Sequence, residues 1–86
     1  MQHLILCKSL TNAQRASLLL DRKGINATVI KAPQPLRGNG CGYALSLNRR
    51  LPEAVRILRS ANLLTGRIYS RGEKDSYLEV WEYDLS

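Results

Sequence analysis

Among its 86 residues the chain has no phenylalanine, one tryptophan, one histidine and two cysteines, and each scarcity removes a class of function. The histidine, His3, stands at the start of the chain, and residues 1–72 hold only Asp21 and Glu53 as acids. Neither a histidine constellation nor a carboxylate pair exists there for acid–base catalysis, so such an enzyme is the least expected reading. Cys7 and Cys41 lie 34 positions apart, which is neither a secreted disulfide framework nor a paired CxxC metal-ligand pattern. No metal and no cofactor is expected. No apolar run approaches the roughly 20 residues a membrane span needs, and the opening MQHLILCKSL has no basic n-region and no small-residue cleavage site. The expected location is the cytoplasm, where thiols begin reduced.

Acid is scarce and unevenly placed. Residues 1–72 carry twelve Lys/Arg against two acids, a net +10, whereas residues 73–86 carry Lys74 against five acids, a net −4. The chain therefore reads as a basic body, 1–72, with an acidic extension, 73–86. A basic body can attract nucleic acid or an acidic partner. The plainer account is that a small domain needs net charge and that its own tail neutralises part of it.

What is present is alternation and helical spacing. HLILC, residues 3–7, is too short and too apolar for anything but a buried strand. Thr11-Asn-Ala-Gln14 fits a capping box for a helix over about 12–23, whose Ala13, Ala16, Leu19 and Leu20 share a face and which Gly24 terminates. INATVIKA then alternates, with Ala27, Val29 and Lys31 on one side and Thr28, Ile30 and Ala32 on the other. Pro33, Pro35 and the glycines at 38 and 40 make a loop. A third strand over 41–47 places Cys41, Tyr43, Leu45 and Leu47 together. A second helix begins around Pro52 and is closed by Asn62 or Gly66, a fourth strand covers 67–70, and SYLEVWEY alternates again as a fifth. That last strand either hairpins onto the fourth through residues 72–75 or pairs with the edge of a second subunit.

The order βαββαβ plus one strand predicts an α+β fold, a ferredoxin-like two-layer sandwich with an extra C-terminal strand and both helices on one sheet face. In that arrangement the first and third strands are central antiparallel neighbours. The end of one meets the start of the other, so Cys7 and Cys41 come within one or two residues of facing each other. Lys8, Arg37, the start of the first helix and the glycine-rich backbone gather at the same end, where they would favour a thiolate at Cys41. The plainer account is that both cysteines are small core hydrophobes and that the glycines serve a tight loop.

The strand followed by SLTNAQRASLLLDRKGINATVIKAP, the loop ending in GCGYAL and the helix LPEAVRILRSANL together resemble a family of small bacterial proteins described as selenium or sulfur carrier-like. The matching features are Gly24-Ile25 after the first helix, Pro33 or Pro35 after the second strand, and Cys41-Gly42 opening the third. The resemblance covers residues 4 to about 70 and leaves out the tail. It implies that Cys41 holds sulfur or selenium as a persulfide or selenopersulfide and delivers it to a partner enzyme. Two departures stand out. Gly38-Asn39-Gly40 replaces a serine-rich run, and Cys7 adds a thiol that could resolve a persulfide or form a disulfide.

The leading expectation is thus a thiol carrier without turnover of its own, served by donor and acceptor proteins. Arg37 and the backbone at Gly40 and Gly42 would stabilise the anion, and Arg49, Arg50, Arg56 and Arg59 would dock an acidic partner. The alternatives are a regulatory or assembly module of the same fold, dimerising through the C-terminal strand with Tyr77, Trp81 and Tyr83, or a basic nucleic-acid binder. Stacking readers of RNA place aromatics on the central strands; the first strand has none and the third only Tyr43, so nucleic acid is not expected.

Overall fold

A computed structural model describes residues 2–37, 42–64 and 66–81. The elements in chain order are β1 (His3–Cys7), α1 (Leu10–Arg22), β2 (Thr28–Lys31), β3 (Tyr43–Leu47), α2 (Leu51–Ser60), β4 (Ile68–Arg71) and β5 (Tyr77–Val80), with single 3-10 turns at Gln34–Leu36 and Glu73–Asp75. This is the expected α+β two-layer arrangement with an added fifth strand. The antiparallel sheet runs β2-β3-β1-β4-β5. β1 is its centre, paired with β3 from His3↔Leu47 to Cys7↔Tyr43 and with β4 from His3↔Ser70 to Ile5↔Ile68.

The two helices end in the same way, and the residues beyond them explain why. After α1, Gly24 turns left-handed at φ 81, its N–H donates to Asp21 O at 3.0 Å, and Ile25 N–H reaches back to Leu20 O at 2.8 Å. After α2, Asn62 takes the left-handed position at φ 59, with Asn62 N–H on Arg59 O and Leu63 N–H on Leu58 O at 2.8 Å. Both are Schellman closures, which satisfy carbonyls the helix leaves unbonded. The start of α1 differs from expectation. Ser9, in extended backbone, is the cap: its hydroxyl accepts from Asn12 N–H at 3.2 Å, and Thr11 lies inside the helix. A serine two residues earlier meets the same orphan donors and lengthens the start of the helix by two residues, so the Thr11-Gln14 box is not used. α2 likewise begins one residue earlier than Pro52, at Leu51.

Alternation along the strands builds two apolar layers. Ile5, Cys7, Leu45, Leu47 and Ile68 face the helices and pack with Ala13, Ala16 and Leu20 of α1 and Ala54, Val55 and Leu58 of α2. Leu4, Leu6, Ala32 and Ala44 face the other way and are covered in part by Ile30, Leu36, Tyr69 and Tyr77. HLILC reads as a continuous apolar run because β1 is buried on both faces. Fully burying a leucine such as Leu20 or Leu58 contributes about 1.5–3 kcal/mol, and both are inaccessible to solvent.

β5 hairpins onto β4 from Ile68↔Val80 to Arg71↔Tyr77. The intrachain alternative is the one adopted. The turn is closed by Gly72 N–H on Ser76 O and by the Ser76 hydroxyl on Glu73 O at 2.8 Å. Both strands of the hairpin lie slightly off their expected bounds, and Tyr83 lies outside the described residues.

Gly66 does not close α2; it lets the chain cross β1. A Cβ on it would lie 2.4 Å from Leu6 O, just where Leu6 N–H bonds Arg67 O at 2.8 Å. Gly66→Ala is therefore expected to cost about 1–3 kcal/mol, as overpacking against rigid backbone does, read as a lower urea midpoint with unchanged slope. His3 offers a pH test. Its Nδ1 lies 2.8 Å from Ser70 Oγ, and burial first, then the nearby amino terminus, lowers its pKa below the ordinary 6.5. The unfolded chain then binds the proton more readily, so stability should decline as pH falls below about 6.5 and level off once the folded histidine protonates. His3→Gln should flatten that part of the profile.

Candidate functional site

The ends of β1, β2 and β3 converge at one pole of the sheet. Tyr43 opens β3 between Cys7, the last residue of β1, and Lys31, the last of β2. Beyond the ladder, Ala32 N–H donates to Gly42 O at 3.0 Å, which holds Gly42 against the end of β2. Cys41 and Gly40 lie outside the described residues; Gly42 is the covalent neighbour of Cys41 and brings the chain to this pole. Cys7 faces Tyr43 across the ladder, and Tyr43 follows Cys41 by two positions in sequence.

Three features mark the pole at Gly42. Arg37, after the 3-10 turn, donates from Nε to Ala32 O at 2.6 Å, so the residue bonded to Gly42 through its N–H is bonded to the guanidinium through its carbonyl. The rest of that fork stays at the pole as a source of positive charge. α1 starts here as well, after Lys8 and the Ser9 cap, and its first turn contains no acidic residue to neutralise its exposed N–H groups. Gly42 itself is the third feature. It has no positive φ, and a Cβ built on it would have nothing within 4 Å among the described residues. Neither backbone conformation nor a close neighbour demands glycine at this position.

The other candidates separate. Cys7 is 1% exposed in the helix-side core, its thiol donating weakly to Ile5 O at 3.5 Å. That is the environment of a small core side chain. His3 sits four residues up β1 from Cys7, about 13 Å along the strand, so the two do not form a nucleophile and base. The four arginines do not make one patch. Arg49 and Arg50 follow β3 at the opposite pole, while Arg56 and Arg59 are exposed along α2. Arg50 is engaged within the fold: its guanidinium holds Glu53 through Nε at 3.1 Å and Nη2 at 2.5 Å and reaches Gly24 O through Nη1 at 2.9 Å. It ties the start of α2 to the end of α1, and its hydrogen bonds hold the Glu53 carboxyl below its usual range.

Tyr43 packs against the helix-side core, so β1 and β3 offer no aromatic on the opposite face for stacking bases. Among the described residues no three of His, Cys, Asp and Glu gather as metal ligands, and no helix is long and apolar enough to cross a membrane. Residues 2–70 match the family model described as "Putative Se/S carrier protein-like", and the chain belongs to that family. No curated protein and no solved structure matches the chain.

The burial of Cys7 generates a direct test. In a Cys41→Ser protein, Cys7 is expected to resist iodoacetamide under native conditions and to react fully in urea, as peptide mass spectrometry would show; ready labelling of the folded chain would contradict its place in the core.

Proposed function

We propose that this member of the Se/S carrier-like family carries sulfur or selenium on Cys41 and passes it between proteins. The Cys41 thiolate attacks the outer sulfur of a donor persulfide. A new S–S bond forms at Cys41, the donor's S–S bond breaks, and the donor's inner sulfur leaves as a thiolate. Delivery is the same exchange in reverse: an acceptor nucleophile takes the outer atom and Cys41 leaves as thiolate. Neither step needs an external oxidant or reductant.

Gly42 is the observation that carries this reading. A residue that neither φ nor any described neighbour requires to be glycine, next to Cys41, would leave space for a second protein to approach a sulfur. Arg37, held at Ala32 O, supports the anionic states on either side of the transfer. A reducing compartment such as the cytoplasm would keep the thiol available, and Arg56 and Arg59 would meet acidic partners. The outer edge of β5, where Leu78 is 69% and Trp81 52% exposed, is the surface a homodimer would use.

Incubation with a cysteine desulfurase and cysteine should add the mass of one sulfur to the peptide containing Cys41. The addition should vanish in Cys41→Ser and survive in Cys7→Ala. A reduced, alkylatable Cys41 that gains no sulfur or selenium from any donor would defeat the proposal. Gly42→Ala should slow loading while leaving the unfolding midpoint equal or slightly higher, because a Cβ there meets no described neighbour and removes a glycine's conformational freedom, yet crowds the approach.

A further inference from the structure

The pole opposite Gly42 holds a cavity of about 450 Å³ between the end of α1, the end of β3 and the start of α2, within the range of small-ligand pockets. We infer that this cavity binds a small ligand carrying a phosphoryl or other tetrahedral oxyanion group. The inference is independent of the carrier reading, because the two poles are separated by the length of β3, about 13 Å.

The lining explains the choice of ligand. Its floor is apolar, made by Ile25 and Leu47, both in the helix-side core. Its walls carry Asn26, Thr28, Asn48 and Arg49, and no acidic residue lines it. None of those four side chains makes a hydrogen bond or ion pair with a described residue, whereas the neighbouring Arg50 is committed to Glu53 and Gly24 O. Arg49 offers only donors, in a planar fork. The two carboxamides and the threonine hydroxyl can add further donors around it. A group that is anionic and has acceptors on several sides suits this set of solvent-exposed donors, whereas a cation would meet the like charge of the guanidinium.

The surroundings hold these walls in place. Thr28 pairs with Ser46 across β2 and β3, and Ser46 Oγ is itself bonded by Gln2 Nε2 at 2.7 Å. Gly24 O is held by Arg50 Nη1, so the loop from Gly24 to Thr28 is tied to the start of α2. A ligand would meet donors whose backbone is already positioned, which lowers the ordering cost of binding.

The test is titration of the ¹⁵N-labelled full chain with inorganic phosphate and with pyrophosphate, against chloride at matched ionic strength. Saturable shifts at Asn26, Thr28, Asn48 and Arg49 that chloride does not reproduce are expected. Arg49→Gln should weaken the interaction at least about tenfold, since it removes a charge-assisted bond, and Thr28→Val should weaken it less. Cys41→Ser should bind as the native chain does. Shifts reproduced by chloride, an affinity unchanged in Arg49→Gln, or no saturable shift with either anion would overturn the inference and mark the polar walls as solvated surface.

Discussion

The antiparallel register of β1 against β3 is the constraint on which the rest of the structure depends. Once His3 faces Leu47 and Cys7 faces Tyr43, the connections have no freedom about where they begin. The loop that contains Cys41 must arrive at the pole where β1 ends and α1 starts, and α2 must leave from the other. The register also sets the faces, since a slip by one residue would turn Ile5 and Leu45 away from the helices and present Leu4 and Ala44 to them. Because both faces of β1 are apolar, burial alone would resist such a slip weakly. Gly66 adds discrimination: only a residue without a Cβ can sit against Leu6 O, so the crossing into β4 is specified at one point.

Glycine serves three different ends here. Gly24 is needed for conformation, being left-handed at φ 81 within a Schellman closure. Gly66 is needed for space. Gly42 has neither requirement among the described residues, and that difference is what makes its position next to a cysteine informative. A chain selected only for a compact loop would gain stability from a side chain at such a site, because glycine costs conformational entropy on folding.

Charge divides the molecule in a comparable way. Arg50 and Arg37 are both spent on backbone carbonyls, Gly24 O and Ala32 O, and so act first as ties between segments. Arg50 joins the two helices and Arg37 joins the 3-10 turn to β2. The basic surplus of residues 1–72 is thus partly structural, and its arginines lie in separate places rather than in one patch.

Element order, the apolar run of β1, the alternation of β2 and β3 and the left-handed Gly24 after α1 were legible in the residues, because burial periods and the steric demand of a left-handed turn act locally, whereas the residues alone do not choose between Asn62 and Gly66 as the end of α2. The cap of α1 is Ser9 and not Thr11, and because both carry the same hydroxyl chemistry only the packed helix selects between them. Composition and the Cys41-Gly42 motif likewise pointed to a thiol and away from histidine chemistry. Tertiary structure alone decided that Cys7 is closed in the core while Gly42 stands open, that Gly66 is a crossing point, that Arg50 is a clamp, and that Asn26, Thr28, Asn48 and Arg49 share a cavity. These depend on which distant segments become neighbours across the sheet, and a spacing along the chain does not encode a distance through it.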